Sequence, residues 1–568
     1  MSEGYETVIG LTFGNTTSSI AYEKEGKVEV IANQDGDRAI PSIISYTGSD
    51  EWHGNQAKAQ LIRNAQNTVT NFRDFIGIPY EKIDPTFNHA SAHPVDKDGV
   101  VAFKLQTKDD AEPELLTVNE VAVRHLDRLR DSAADYIGKK IDGVVVTVPT
   151  DFTEEQKKTF VEIAAKADLK VMQIINEPTA ALLGHVAARS SNKTGSLESK
   201  VILIVDVGGT RTDGAIITNR GGMFNVIATH HDTELGGYYL DEALAKYFAK
   251  EFEKKHKIDP FKEPRAVAKL FAESENVKKT LSNTSSATFA VESLSGGFDF
   301  HASINRFRFE TTARPVFSRI SSFVEHLVKS ANLDVLDIDE VLIAGGSGFV
   351  PKVASTIAAV FDESVTNVVA PSLDVKAVNP NELAVRGAAL QASLIAIYDQ
   401  KEIDESLQSV VTVAPHTVKP IGVLTQDPEN ASKHIFVSIV DSNTPIPYRT
   451  SRIFNSPADA ESVLIGVYEG EPEIKVTLLE KPAKTESAEA DEEDSWDEDE
   501  DDEPEEVRSK LINHTTKLAE AGLKGITKGS QIEVLINITR DLKLQVAARE
   551  VKQGGVAIRG ELAAPTLA

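Results

Sequence analysis

At 568 residues the chain exceeds what one hydrophobic core can serve, so two or more domains are expected. Its composition is that of an ordinary soluble protein, and the lack of cysteine excludes a disulfide framework, thiolate zinc sites and cysteine nucleophiles together. The formal charge of -27 is concentrated: fifteen acidic residues and no basic ones lie between Glu486 and Glu506, and setting those fifteen aside leaves -12, a moderately acidic body that disfavours direct nucleic-acid binding.

The N-terminus has neither a basic start nor an apolar stretch, and no run of roughly 18 apolar residues follows, so neither a signal peptide nor a membrane span is expected and a cytoplasmic location is the simplest reading. Strand-like apolar runs cover Thr7 to Thr12, Gly143 to Val148, Val201 to Val207 and Glu340 to Ala344. Between them, helical patterns span Val118 to Tyr136 and Glu154 to Ala167, the second opened by a capping box, Thr153-Glu154-Glu155-Gln156, just after Pro149. The alternation predicts an α/β architecture over residues 1–400. Near Val410 the texture changes to short β-rich runs (Val410 to Val413, His434 to Ile439, Val463 to Tyr468, Ile532 to Ile538, Leu542 to Ala548), which predicts an all-β domain over 411–568 after a linker at 401–410. The acidic tract 484–506 buries too little apolar surface to fold and reads as a disordered spacer loop within that domain.

One internal repeat outweighs any single motif. Ile9-Gly10-Leu11-Thr12-Phe13-Gly14-Asn15-Thr16-Thr17-Ser18-Ser19-Ile20 aligns without a gap on Leu203-Ile204-Val205-Asp206-Val207-Gly208-Gly209-Thr210-Arg211-Thr212-Asp213-Gly214. Each is an apolar strand, a small-residue turn and a returning strand. Glycine lets backbone amides approach a phosphate, and threonine hydroxyls add donors, so two such hairpins facing each other would grip a nucleotide's phosphates from both sides. His230 and His231 lack a ligand cluster at useful spacing and read as structural or surface residues.

These residues resemble the heat-shock protein 70 (DnaK-type) chaperone family. Besides the hairpins, Ile174-Ile175-Asn176-Glu177-Pro178-Thr179-Ala180-Ala181 resembles its connecting motif. Leu235-Gly236-Gly237, Glu275-Asn276-Val277-Lys278-Lys279-Thr280-Leu281-Ser282 and Gly345-Gly346-Ser347-Gly348-Phe349-Val350-Pro351-Lys352 resemble its further nucleotide landmarks, with Asn379-Pro380-Asn381-Glu382 in the expected place. Asn443-Thr444-Pro445-Ile446-Pro447 and Val467-Tyr468-Glu469-Gly470-Glu471 resemble segments of its peptide-binding sandwich. The resemblance implies an actin-like, duplicated, two-lobed nucleotide-binding fold followed by a β-sandwich. It implies ATP as cofactor, held by Gly14, Asn15, Thr16, Arg73, Gly208, Gly209, Thr210, Arg211, Gly236, Gly237, Glu275, Lys278, Lys279, Ser282, Gly345, Gly346, Ser347, Phe349 and Asn381. A weakened magnesium site is implied near Asp206, Asp213 and Glu177.

The departures bear on chemistry. The family's first hairpin carries aspartate where this chain has Thr12, and its water-positioning lysine corresponds to Arg73, whose planar fork differs from a compact ammonium. Thr210 and Arg211 replace a glycine and a threonine; Arg211 either contacts a phosphate or disturbs the turn. Phe349 replaces an arginine that stacks on the base, and still offers an aromatic face. Glu177, Asp206 and Asp213 are retained. Binding therefore looks more intact than hydrolysis, because phosphoryl transfer depends on positioning.

The sequence ends at Ala568 without room for the family's helical lid or its acidic tail motif, and the linker Leu407-Gln408-Ser409-Val410-Val411-Thr412 is more polar than the family's leucine run. This set of losses is most similar to the Ssz-type atypical branch of the fungal ribosome-associated complex. The branch implies a stable pairing with zuotin, a J-domain protein, and ribosome contact through that partner. It also implies stimulation of a second, active heat-shock protein 70 chaperone acting on nascent polypeptide. Two other readings stay open at this point: an active ATP-hydrolysing folding chaperone, and an actin-fold small-molecule kinase, which the β domain argues against.

Overall fold

The apolar run Val8–Phe13 pairs antiparallel with Thr17–Lys24, which continues to Lys27–Ile31, and parallel with Gly143–Val148, which pairs with Val171–Asn176. Ile40–Pro41 adds a short sixth strand beside 17–24. In the computed structural model, which describes residues 5–84, 91–108, 112–190, 199–408, 415–426, 433–479 and 505–562, a second sheet repeats this order. Met223–Asp232, Thr212–Arg220 and Lys200–Val207 are antiparallel, and Glu340–Ala344 and Asn367–Val369 follow in parallel. The strands read as near-continuous hydrophobic runs, as expected where helices cover both faces of a sheet. Each lobe has its own core, around Phe13, Phe72, Phe103 and Phe160 in the first and Phe248, Phe252, Phe289 and Phe323 in the second.

The helices obey local signals. Glu154–Lys166 starts on the expected box, Thr153 accepting from the Gln156 amide while the Gln156 side chain accepts from Thr153. Val118–Ile137 has a second box, Thr117 with Glu120, and stops at Gly138 in the left-handed region. Glu177–Ser190 and Leu383–Ile395 cross so closely that a Cβ on Gly387 would sit 1.9 Å from the Ala180 carbonyl oxygen, so only hydrogen fits there.

The segment expected as a linker, 401–410, contains helical residues. Residues Gln400–Ser406 form a helix, opened by an Asp399–Glu402 capping box and anchored by buried Ile403 and by Ser406, whose hydroxyl donates to the Met172 carbonyl at 2.6 Å. The first compact unit accordingly runs through Val410 and the second from Val411. The expected strand Val410 to Val413 lies outside the described residues.

The second unit contains two four-stranded antiparallel sheets. One runs His434–Val440, Ile421–Gln426, Ser462–Leu479, Glu505–Lys524; the other runs Tyr448–Asn455, Gln531–Ile538, Leu544–Glu550, Ala557–Leu562. Alternating burial along Gln531–Ile538 feeds a core that includes Ile421, Val467, Ile536 and Leu544. The expected short strand at Val463 to Tyr468 is instead the first third of a long ribbon, because pairing continues past a register shift at Tyr468 and Gly470 out to Leu479 and Glu505. Glu505 and Glu506, assigned from sequence to the acidic loop, therefore belong to a strand; most of that tract, 480–504, lies outside the described residues. Among the described residues no helix is long and apolar enough to cross a membrane.

Candidate functional site

The two repeated hairpins place their tips together. The Asn15 amide donates to the Thr210 hydroxyl at 3.0 Å, and a Cβ on Gly209 would collide with the Thr16 side chain. Within each hairpin the register sets one cross-strand pair beside the turn. In the first it is Thr12 opposite Ser19; in the second it is Asp206 opposite Asp213. The hydroxyl of Thr12 accepts from the Ser19 amide at 3.1 Å and donates to the Ser19 carbonyl at 3.4 Å, so its polar valence is met inside the hairpin.

Two arginines organise the carboxylates. Arg73 is buried at the start of a short 3-10 turn; its Nη1 donates to Glu177 Oε1 at 2.9 Å and its Nε to Asp74 Oδ1 at 2.8 Å. Arg211, also buried, forks onto Asp213 through Nε at 2.6 Å and Nη2 at 3.0 Å, and Nη2 reaches Asp151 Oδ1 at 2.6 Å. The Thr150 hydroxyl adds a bond to Asp213 at 2.9 Å. Burial would push Asp213 up, yet the Arg211 guanidinium and these hydrogen bonds hold it below its ordinary value. Glu177 is pushed up to about 7, chiefly by burial against the opposing pull of Arg73. Asp206 lies well above the usual carboxylate range through burial and the neighbouring Glu177 and Asp213 charges. Among the described residues no group of three or more His, Asp or Glu side chains is arranged to hold a metal ion directly.

The second turn is fixed from behind. Gly237 opens the helix Gly237–His256, and its amide donates to the Gly208 carbonyl at 3.0 Å while that of Tyr238 donates to Gly209 at 2.7 Å. A Cβ on Gly237 would sit 2.7 Å from the Ser347 hydroxyl, and that hydroxyl donates to Gly208 at 2.8 Å. The helix Pro264–Asn283 carries the next group. Lys278 reaches Asp241 at 2.7 Å and the Gly237 carbonyl at 3.0 Å, while Glu275 is clamped by Lys58 and Lys279. Burial raises Glu275, but those lysines hold it at about 2; Asp241 is pushed up to about 6 by burial despite Lys278.

Most of these groups border one cleft of about 1130 Å³, a volume that admits a nucleoside triphosphate. Gly14, Asn15, Thr16, Gly208, Gly209, Thr210 and both arginines line it, as do Glu275, Lys278, Lys279, Ser282, Gly345, Gly346, Ser347, Phe349 and Asn381. Thr12, Glu177, Asp206, Asp213 and Gly237 line it too; Gly236 alone of the expected set stands behind, its backbone against Gly208 and Gly209. The residue pattern fits a nucleotide: small-residue turns, the stacked Tyr238–Phe271 pair, 5.2 Å between centroids, and the exposed ring of Phe349 all line the cleft. Sequence reasoning missed Lys58, Asp151, Tyr238, Asp241 and Phe271. Only Asp74, which adjoins Arg73, carried a local signal.

The profile described as Hsp70 protein matches residues 8–480. The chain is 46% identical to the ribosome-associated complex subunit SSZ1 of Saccharomyces cerevisiae over 98% of this chain and 99% of that protein. It is 38% identical to the heat shock protein 70 homolog C57A7.12 of Schizosaccharomyces pombe over 99% and 97% respectively. Against the heat shock cognate 70 kDa protein 3 of Dictyostelium discoideum, identity is 32% over 82% of this chain and 71% of the relative. A repeated two-lobed α/β unit around a nucleotide-sized cleft, a β-rich second unit and these matches together show that the chain belongs to the Hsp70 family of nucleotide-binding chaperones.

Proposed function

We propose that the chain binds ATP in this cleft, hydrolyses it poorly or not at all, and serves as the stable partner of a zuotin-like J-domain protein at the ribosome. In this role it stimulates a second, active Hsp70-family chaperone on nascent polypeptide. One observation carries the hydrolytic part: Arg73, which stands where the family's water-positioning lysine is expected, has its guanidinium tied to both Asp74 and Glu177. A group held in that fork is not poised to place a water, and phosphoryl transfer is mainly positioning. Binding is supported by the glycine-lined cleft and the clamped Glu275 and Lys278.

The partner assignment rests on likeness over nearly the whole chain to a protein whose name places it in the ribosome-associated complex. In this reading residues up to Ser406 form the nucleotide-binding domain and the strands from Ile421 a sandwich of the peptide-binding type. A partner segment then adds as a strand to an open sheet edge, such as Ala557–Leu562.

Equilibrium ATP binding and single-turnover hydrolysis on the purified chain, with and without a J-domain partner, test the reading. Binding without partner-stimulated turnover is the expected result. Stimulated turnover would replace the reading with a conventional chaperone engine, and the lack of any ATP binding would remove its premise.

A further inference from the structure

Of five carboxylates gathered here, Glu177, Asp206 and Asp213 line the cleft, and Asp74 and Asp151 pair with the arginines that line it. A triphosphate brought to such a place needs counter-charge. In an Hsp70-family cleft that charge would ordinarily come in part from a divalent cation held through acidic groups, and here the first hairpin supplies none, because Thr12 and Ser19 satisfy each other. The acidic groups that remain are largely engaged: Glu177 by Arg73, Asp213 by Arg211 and Thr150. Asp206 is the one of the three expected magnesium-side carboxylates with no hydrogen bond or ion pair among the described residues, and it lines the cleft beside Glu177 and Asp213.

We propose that Arg73 and Arg211 supply, as fixed side-chain charge, what a divalent cation would otherwise bring, so that the chain binds a nucleoside triphosphate without magnesium. The proposal rests on the nucleotide reading above and adds the charge arrangement that lets it work. Two guanidinium groups carry the same total charge as one divalent ion, and arginine stays protonated under all relevant conditions. Both line the cleft. Arg211 also retains donors: Nε and Nη2 are spent on Asp213 and Asp151, but Nη1 makes no hydrogen bond among the described residues, the Asp74 carboxylate lying 4.0 Å away. A guanidinium edge with free N–H groups matches phosphate oxygens in geometry as well as charge. The side chain that displaces the family's threonine from this turn thereby does two things: it removes Asp213 from cation binding, and it offers a phosphate ligand in exchange.

The test is calorimetric titration of the full chain with ATP, once in excess EDTA and once in millimolar magnesium, after exhaustive chelation of the protein. The two dissociation constants should agree within about threefold, well under the tenfold that 1.4 kcal/mol represents. The double variant Arg73→Gln/Arg211→Thr should bind at least about tenfold more weakly in EDTA and recover when magnesium is added, because the freed carboxylates then repel the phosphates unless a cation intervenes. Circular dichroism checks that the variant folds; if it does not, the wild-type pair of titrations decides alone. Wild-type binding that is intact in magnesium but lost in EDTA overturns this inference and leaves the nucleotide reading standing. Absence of binding in both buffers overturns both.

Discussion

In the first hairpin Thr12 lies opposite Ser19; at the same two positions of the second, Asp206 lies opposite Asp213. One strand over, Val8 pairs with Gly143 in the first lobe, and Ile202 pairs with Glu340 in the second. The strand order of the two sheets agrees throughout these positions. Register in a covered sheet is set by which residues face the core, so the frame survives an exchange of carboxylate for hydroxyl or for hydrogen as long as the apolar runs persist. Charge is therefore free to diverge between lobes that fold alike. The second lobe has kept acidic groups at both places and surrounds them with cations; the first has none at either.

The largest effect should come from breaking that compensation. Arg211 and Asp213 are both buried, and Arg211→Ala leaves Asp213 and Asp151 without their guanidinium. Removing one partner of a buried pair costs about 3 to 5 kcal/mol, since the other charge stays in a poorly solvating place. The urea midpoint of the first unit should fall accordingly in Arg211→Ala. In the first lobe Thr12→Ala, which removes only hydrogen bonds internal to a hairpin, should cost about 1 kcal/mol. Equal costs would mean that the lobes differ in sequence but not in energetics.

A smaller effect separates the acidic groups by sign. Glu340 is 3% exposed at its side chain and is met by His185 at 2.8 Å, Lys200 at 3.0 Å and Arg189 at 3.2 Å. Burial opposes its ionisation, but these partners hold it at about 2 against an ordinary 4.5. A depressed acid contributes stability that is present above its unfolded value and is lost as pH falls through the folded one, here between about 4.5 and 2, and the shift corresponds to about 3 kcal/mol. Glu177, raised to about 7, has the opposite sign: its contribution declines as pH rises from about 4.5 through 7. Urea titrations of the wild type and Glu340→Gln should therefore converge as pH drops from 5 toward 2, with the variant less stable at the upper end. Parallel curves would show that the Glu340 cluster is not ionised as described.

Much of this arrangement was legible before any coordinates. The gapless alignment of the two hairpins exposed the duplication, and the family's landmarks brought Glu275, Ser347 and Phe349 to one cleft although they lie far apart in the chain. Legibility ended where a partner is set by tertiary approach. Nothing near Lys58 announces Glu275, and nothing near Asp151 announces Arg211, because those contacts arise from how separate segments meet rather than from local pattern. The helix within the expected linker was hidden for a related reason. Gln400–Ser406 is short and polar, and its helix is decided by a cap at Asp399 and by one apolar side chain, Ile403, finding a core laid down by distant strands. In the second unit the ribbon beyond Gly470 does alternate at Ile474, Val476 and Leu478, but it has few buried positions, Val476 being exposed, and cross-strand pairing extends it.

The smallest expected effect concerns the helices that follow the fourth strand in each lobe. Glu154–Lys166 begins with the Thr153–Gln156 box, whereas Pro351–Ala358 begins after Val350 with proline at its first turn and no side-chain cap. Proline there needs no amide partner, so the second lobe starts its helix by a fixed backbone angle and the first by hydrogen bonds. Thr153→Ala should cost about 1 kcal/mol. Gln156→Ala should cost more, about 2 kcal/mol, since the Gln156 side chain also donates to the Ile76 carbonyl at 3.2 Å and so ties the cap to the turn that carries Arg73. If the comparison between lobes is sound, Thr153→Ala lowers thermal stability without changing ATP affinity, while Gln156→Ala lowers both. Equal loss of affinity in the two variants would mean that the helix start itself, rather than the Gln156 tether, positions Arg73.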